Sequence, residues 1–306
     1  MAYPVAQGEP SYSGTYIPEV WSSKMLIKFY EGTVLTEVTN TDYEGEIKDH
    51  GDKVQIRTVP DIDISDYEKG QNLTVQRPTS ANITLLIDKG KYFNFECKDL
   101  DKKQSDLPFV NKWAEDASNQ MKIAIETDVF ANVYTDASAY NKGASAGKKS
   151  SSYNMGVTGT PLVVTRENAV DILVDAGSCL SEQDVPETDR FAILPVWYCN
   201  LIKKSDIKDA SLTGDETSPL RNGKVGMING MTIYKSNLLA DTTDGAYSVT
   251  NIMVGHTTAI TFATQLTKSE VIRNQNDFGD LTRSLQVYGY KVIKPESLVH
   301  VYARKG

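Results

Sequence analysis

The stretch SDLPFVNKWAEDASNQMKIAIETDVFANVYTDA, residues 105–137, decides the fold class because it carries the strongest helical pattern in the chain. Its apolar residues recur at helical spacing: Val110, Trp113, Ala114, Ala117, Met121, Ala124 and Ile125. Such a stripe is typical of an amphipathic helix, and Asp106 suits its N-cap. The pattern predicts one helix over residues 107–134, which is long for a globular domain.

Before this helix the hydrophobic period changes to two, which predicts β-strands. Apolar and polar residues alternate in VQIRTVPDIDIS, at Val54, Ile56, Ile62 and Ile64. They alternate again in ANITLLIDKGKYFNFECK, where DKGK predicts a turn. Residues 42–77 are too polar to form a core. An isolated hairpin is marginal in water, so we expect this two-stranded excursion to need a partner surface.

The sequence before and after these segments differs in polarity and in hydrophobic pattern. Residues 1–17 predict a polar arm, and the following segment predicts a short helix over residues 18–31. Residues 136–160 are rich in Gly, Ser and Lys, offer little to bury, and predict a loop or linker. The remainder predicts an α/β region: a helix that stops at Gly177, a buried strand RFAILP, a helix over residues 196–205, and a hairpin at Asn229-Gly230. The tail LTRSLQVYGYKVIKPESLVHVYARK returns to strands.

Composition narrows the function classes. The formal net charge is -8, so the basic face expected of a protein that grips DNA phosphates is not evident. Three widely spaced cysteines favour neither a disulfide framework nor a zinc site. The sequence starts without the pattern of a signal peptide and contains no apolar run of membrane-spanning length, so we expect no membrane association.

One acidic cluster resembles a catalytic or metal site, since five carboxylates surround His50 in DYEGEIKDHGD, residues 42–52. On a strand, however, Glu44 and Glu46 share a face that Asp49 and His50 do not, and DHGD is typical of a turn. The segment therefore predicts the charged end of a hairpin. GASAGKKS, residues 143–150, lacks the spacing of a phosphate-binding loop. We expect no catalytic residue, no metal and no cofactor.

The order of these elements resembles the major capsid proteins of tailed bacteriophages, and four segments carry the likeness. The region IPEVWSSKMLIKFYEGTVLTEVTNTDYEGEIKDHGDKVQIR is similar to the junction of arm and extended loop in podovirus-type coat proteins. RFAILPVWYCNLI and KVGMINGMTIYKSN resemble axial-domain segments of that fold. HTTAITFATQLTKSEVIRNQNDFGDLTRSLQVYGYKVIKPESLV resembles its C-terminal region, so the likeness spans nearly the whole chain.

The resemblance implies an α+β fold, the tailed-phage major capsid fold, in four parts. These are an N-terminal arm (1–33), an extended β-hairpin loop (34–85), a peripheral domain with a long spine helix (86–160 and 256–306), and an axial α/β domain (161–255). The chain leaves no room for a long scaffolding segment before the arm. The resemblance therefore implies scaffolding by a separate protein, or a segment that has already been removed.

The same resemblance implies a structural, non-enzymatic subunit of a virion. It implies self-assembly through pentamers and hexamers into an icosahedral head, built in the cytoplasm of the bacterial host around double-stranded DNA that the wall touches only weakly. The further partners implied are a portal protein and a decoration protein. The expected intersubunit contacts lie on the extended loop: Glu44, Asp49, Arg57, Glu68, Lys69 and Arg77.

Two other functions stay open at the level of sequence. One is an encapsulin-like bacterial nanocompartment, which has the same fold but usually starts with a helix where this chain has an arm. The other is a soluble hydrolase that uses acids such as Glu44 and Asp49. A covalent link from Lys69 to Asn274 or Asn276 of a neighbour also stays open, because the carboxylate it needs cannot be located from sequence.

Overall fold

The computed structural model describes residues 30, 32–43, 53–60, 62–80, 82–104, 109–205, 226–275 and 277–306. Its α-helices are α1 (Leu35–Val38), α2 (Asp99–Gln104), α3 (Phe109–Asn132), α4 (Ala169–Glu182) and α5 (Val196–Lys204). Its strands are β1 (Lys53–Arg57), β2 (Asn82–Leu86), β3 (Lys89–Lys98), β4 (Leu162–Val164), β5 (Arg190–Leu194), β6 (Met227–Ile228), β7 (Met231–Lys235), β8 (Asp241–Asp244), β9 (Tyr247–His256), β10 (Ile260–Arg273), β11 (Gly279–Val292) and β12 (Leu298–Lys305).

The predicted α+β class is confirmed, and so are several single elements. The long helix is α3, continued by a 3₁₀ turn over Val133–Asp136. The buried strand is β5, the next helix is α5, and the Asn229-Gly230 turn joins β6 to β7. Both turn residues have positive φ, as a two-residue hairpin of this kind requires. The helix predicted over residues 18–31 lies, except for Tyr30, outside the described residues.

A seven-stranded sheet forms the larger half of the fold. Its strand order is β4-β12-β9-β5-β7-β6, with β8 paired to β9. Every residue of β5 is buried, because α4 and α5 pack on one face and the end of α3 packs on the other. The last strand, β12, pairs with β4 and β9. Residues 298–305, which the resemblance implies for the peripheral domain, therefore share a sheet with strands of the implied axial domain.

A three-stranded sheet in the order β10-β11-β3 forms the second half. α3 lies across one face of it and is held by a polar cluster. Asp128 Oδ2 accepts hydrogen bonds from Lys89 Nζ (3.0 Å) and from the Tyr288 hydroxyl (3.0 Å). The hydroxyl of Tyr290 accepts from Lys89 Nζ and donates to the Asp128 carbonyl. Tyrosines two residues apart on β11 therefore clamp one turn of the helix.

An apolar core joins the two sheets. Val129 and Phe130 of α3 contact residues of the seven-stranded sheet, such as Ile193 and Met253, together with Ile260 of β10. Only the second half of the helix contains buried residues, so the predicted stripe over its first half is not an internal core face: Trp113 is exposed, and Ala114, Ala117 and Met121 are half-buried. Ala124, in the second half, is exposed as well. Next to this core, Glu126 Oε2 accepts from the backbone N–H groups at the start of α1.

Two expectations for the middle of the chain are wrong. Gly177 does not end its helix, because α4 continues to Glu182. The glycine instead permits close packing: a β-carbon there would lie 2.5 Å from the Asn229 amide nitrogen. Residues 136–160 form neither an α-helix nor a strand, as expected of a loop, but the expectation that they bury little is wrong, since Ala146 and Met155 are fully buried against the seven-stranded sheet. Two small apolar residues in a polar, Gly-rich segment are too weak a sequence signal for burial.

The region where α4 ends also contains a buried cation that the sequence analysis missed. Arg190 is 3% exposed and donates to the carbonyls of Gly177, Val185 and Pro186 and to the Ser181 hydroxyl. These acceptors include a carbonyl of the last turns of the helix, where the helix dipole favours positive charge. Arg190 therefore ties α4 and the following loop to the start of β5.

His300 lies where the 3₁₀ turn after α3 meets β12. Its ring lies between those of Tyr134 and Tyr302, at centroid distances of 4.8 and 6.2 Å. Asn251 donates through Nδ2 to a backbone carbonyl, so its Oδ1 accepts from His300 Nε2 at 2.9 Å. Burial lowers the pKa of His300 to about 4, and nearby Lys142 adds to the effect. The ring is therefore neutral at neutral pH.

This geometry predicts acid sensitivity. In the unfolded chain His300 titrates near 6.5, so the unfolded state binds more protons between pH 6.5 and 4, and stability falls as pH falls through that window. From pH 6 to pH 5 we expect His300 to remove about 1 kcal/mol of unfolding free energy. Urea unfolding of His300→Gln, whose amide still reaches Asn251, should show a smaller loss; an equal loss in both proteins would contradict the assignment.

Candidate intersubunit surface

The extended loop begins with a small root, which we define as β1, β2 and Ile87. The two strands pair antiparallel, with Val54 opposite Leu85 and Ile56 opposite Ile83. Alternate side chains of β1 point inward and are buried, as the period-two pattern predicts. The root packs on β10 and β11 through one apolar cluster: Val54, Ile56, Leu85, Ile87 and Ala263. DKGK is not a turn, because Lys89 and Gly90 already belong to β3, which pairs with β11 rather than β2.

The tip of the loop, residues 58–60 and 62–80, forms neither helix nor strand. The predicted alternation therefore ends at Ile56, and Ile62 and Ile64 lie in an unpaired segment. Two side-chain contacts hold the limbs together: Gln76 bonds the backbone N–H and carbonyl of Asp63, and Ser80 Oγ donates to the Thr58 carbonyl. A turn at residues 68–71, with Gly70 at φ +93°, reverses the chain.

The tip exposes large apolar side chains on both limbs. Val59, Ile64 and Val75 are 92%, 93% and 87% exposed. Ile62, Tyr67 and Leu73 are exposed as well. Single exposed apolar residues are ordinary on proteins, but six within about twenty residues mark an interaction surface. The alternation at Ile62 and Ile64 predicts half-buried strands, so the sequence pattern does not reveal that these side chains are exposed.

Four of the six predicted contact residues lie in the described part of the loop. Arg57 ends β1 opposite Asn82, Glu68 and Lys69 lie in the turn, and Arg77 lies on the second limb. All four are exposed, and within the described residues none of them has an ion-pair partner. Glu44 and Asp49 lie outside the described residues, as does His50.

A second exposed surface lies on the three-stranded sheet, on the side away from α3. We call it the open face: Tyr92, Lys268, Glu270, Arg283 and Leu285. Tyr92 pairs with Leu285, and Leu285 with Lys268, so the three side chains share one face. Tyr92 is 77% exposed and borders a hollow of about 530 Å³.

The charges of the open face are already paired. Glu270 accepts a hydrogen bond from Arg283 Nε, and one of its carboxylate oxygens lies 3.2 Å from Lys268 Nζ. The contact with Arg283 lowers the pKa of Glu270 most, and the contact with Lys268 lowers it further. The surface is therefore an apolar patch beside a balanced charge cluster. This combination suits a contact that forms and stays specific in water.

Other candidate chemistry has structural explanations. The phosphate-loop-like segment binds a carboxylate of its own chain: the N–H groups of Lys149 and Ser150 donate to Glu182 Oε2, at 2.8 and 3.1 Å. His256 Nδ1 accepts a hydrogen bond from the backbone N–H of Thr258 and lies 3.0 Å from the Thr258 hydroxyl oxygen. The three cysteines are buried and unpaired. Among the described residues no group of three or more His, Cys, Asp or Glu is placed to hold a metal ion.

The far end of the three-stranded sheet carries an ion-pair network. Arg273 donates to Asp99 and Asp280, and Lys98 pairs with Asp277 at 3.0 Å. Beside it Asn274 Nδ2 donates to Glu96 Oε1 at 2.6 Å, so a carboxylate does lie beside this candidate cross-linking residue. Asn276 lies outside the described residues. In the described part of the chain no helix is both long and apolar enough to cross a membrane.

Comparisons with known structures agree with this architecture. A structure from Mycobacterium phage Che8 shares 25% sequence identity and a TM-score of 0.78, covering 94% of this chain and 97% of that one. The capsid of cyanophage P-SCSP1u is similar at 15% identity and a TM-score of 0.71, over 95% and 94% of the two chains. The capsid of a native GTA particle is similar at 14% identity and a TM-score of 0.64, over 94% and 96%.

Sequence comparison points the same way. No curated protein sequence matches the chain. A family model described as phage capsid protein matches residues 83–301, which is more than two thirds of the chain and includes α3, the three-stranded sheet and all of the seven-stranded sheet except the last four residues of β12. The chain therefore belongs to the phage capsid protein family and is a major capsid protein, a structural subunit that associates with its own copies into the shell of the virion.

Proposed function

We propose that the chain assembles through pentamers and hexamers into the icosahedral head of a tailed phage that encloses double-stranded DNA, and that it has no enzymatic activity. The observation that carries the proposal is the extended-loop tip. Val59, Ile64 and Val75 are almost fully exposed in one subunit. In a closed lattice of repeated head-to-tail contacts, every such tip meets a neighbour that can cover it.

The open face of a neighbouring subunit is the proposed cover. It exposes Tyr92 and Leu285, which are of the same apolar character as the tip. Fully burying a Val or Ile side chain contributes roughly 1.5–3 kcal/mol. A few such side chains in each copy contribute enough to drive association, because the contact recurs at every lattice position.

The charged residues of the loop act as the rim of this contact. We propose that Glu44, Asp49, Arg57, Glu68, Lys69 and Arg77 set its register rather than its strength. An exposed ion pair contributes only about 0.2–1 kcal/mol, much less than a buried apolar side chain. The open face offers both signs of charge, through Lys268, Glu270 and Arg283.

Assembly into a phage head also implies partners other than copies of the subunit itself. We propose that the subunit assembles in the host cytoplasm with a separate scaffolding protein, joins a portal protein at one vertex, and accepts a decoration protein outside. The net charge of -8 favours weak, non-specific contact with packaged DNA, because few phosphates are neutralised. The arm, the extended loop, the peripheral domain and the axial domain are proposed as its four working parts.

Replacing the tip tests the loop's role in assembly. A short Gly-Ser bridge in place of residues 58–81 joins Arg57 to Asn82, which are already opposite each other, and leaves the root intact. We expect a soluble subunit that unfolds cooperatively but forms no shells in electron micrographs. Normal shells would refute the assigned role, and an unfolded product would show that the tip belongs to the core.

Two double variants separate apolar from charged contributions. Ile64→Ser with Val75→Ser should raise the critical concentration for assembly by about tenfold or more, since 1.4 kcal/mol corresponds to a factor of ten. Lys69→Ala with Arg77→Ala should change it by less than about fivefold and should reduce its dependence on salt. Light scattering at several salt concentrations measures both; the reverse ranking would show that charge dominates the contact.

Trypsin should report whether the tip is covered. Lys69 and Arg77 are both exposed, but Pro78 follows Arg77 and blocks cleavage there. Free subunits should therefore be cut after Lys69, which mass spectrometry detects as peptides that end at Lys69 or begin at Gly70, while assembled shells resist. Lys89, within β3, is the internal control and should stay uncut in both states. Equal cleavage after Lys69 in shells would show that the tip remains uncovered.

A further inference from the structure

The root of the extended loop crosses β11 at a glycine. A β-carbon on Gly289 would lie 2.0 Å from the Leu86 carbonyl oxygen and 3.0 Å from Ile87 Cα. The atoms in the way are backbone, so no side-chain rotation can make room. Gly289 does not have the positive φ that would otherwise favour glycine. Only the close approach of the crossing chain explains a residue without a side chain here.

The neighbouring strand, β10, also has a small residue beneath the loop root. Ala263 of β10 pairs with Gly289, is fully buried, and packs against Leu85 and Ile87 of the root. Alternation along β11 puts Gly289 on the same side of the sheet as Val287 and Leu285. The root therefore covers one end of this side of the sheet, and the open face occupies the other.

We infer that Gly289 and Ala263 form a seat for the loop root, and that this seat fixes the direction in which the loop leaves the sheet and thereby sets the curvature of the shell. The inference rests on the proposed docking of the tip on a neighbouring subunit. If the tip of one copy must meet the open face of the next, the angle between loop and sheet determines the angle between the two subunits.

A small displacement at the base of the root produces a larger displacement at the end of the tip, because the loop is long. A β-carbon at Gly289 must push the Leu86 carbonyl away by about 1.4 Å to reach an ordinary contact distance. At about 3.3 Å per residue, the root is roughly 16 Å long and each limb of the tip reaches up to about 40 Å further. A shift of about 1.4 Å at the base of the root therefore moves the end of the tip by about 4 Å. A displacement of that size exceeds what close-packed apolar surfaces tolerate.

Gly289→Ala tests the seat, and Gly90→Ala is its control. Gly90 lies on the adjacent strand, and a β-carbon there meets nothing closer than 3.9 Å. We expect both variants to fold, as judged by thermal unfolding of free subunits. Gly90→Ala should form shells of wild-type diameter. Gly289→Ala should reduce the yield of shells of wild-type diameter by about tenfold or more. At the same total assembled mass it should give tubes, open sheets or particles of another diameter instead.

A milder variant covers the case in which Gly289→Ala does not fold. Ala263→Val enlarges the seat from the next strand without meeting a backbone carbonyl, and should broaden the particle diameters in electron micrographs. Shells of normal size from both seat variants, or equal effects of Gly289→Ala and Gly90→Ala, would overturn the inference while leaving the proposed function intact. Absence of any ordered assembly from the wild-type chain would instead refute the proposed function.

Discussion

In the described part of the chain, the apolar side chains of the extended-loop tip stay exposed to solvent. In the proposed assembly this constraint organises the molecule, because side chains that a neighbouring copy covers have to be presented at a defined position. The root packs on β10 and β11, α3 is clamped to the opposite side of the same sheet through Asp128, and the end of α3 is buried against the seven-stranded sheet. A continuous series of packed layers thus connects the tip to the larger half of the fold.

Polar side chains in the described part of the fold hold helices, strands and loops in place. Asp128 receives hydrogen bonds from Lys89 and Tyr288, and Arg190 is surrounded by carbonyls. Glu182 fills backbone N–H groups that in a nucleotide-binding protein would meet phosphate. Each of these groups is satisfied within its own chain, which is typical of a structural protein, whereas the tip and the open face present apolar side chains to solvent.

Sequence patterns predicted the elements whose signal is local. The period of α3, the buried run of β5 and the Asn229-Gly230 turn each depend on neighbouring residues, so they were predicted correctly. The errors concern contacts between distant segments. Gly177 resembles a helix stop but accommodates Asn229, and β12 joins a sheet that its own alternation cannot identify. In the candidate surface, the alternation at Ile62 and Ile64 predicted half-buried strands, whereas both side chains are exposed, because alternation alone does not reveal whether a partner strand exists.

The crossing of the loop root over Gly289 also has a genetic consequence. Every single-nucleotide change in a glycine codon that alters the amino acid introduces a β-carbon or a stop codon, and the Leu86 carbonyl leaves no space for even the smallest side chain. The position therefore has no gradual route of variation: a lineage keeps the glycine or rebuilds the crossing. With the shell curvature set by this seat, as we infer, that curvature is inherited as a discrete character, whereas the exposed side chains of the tip are free to vary together with the surface proposed to cover them.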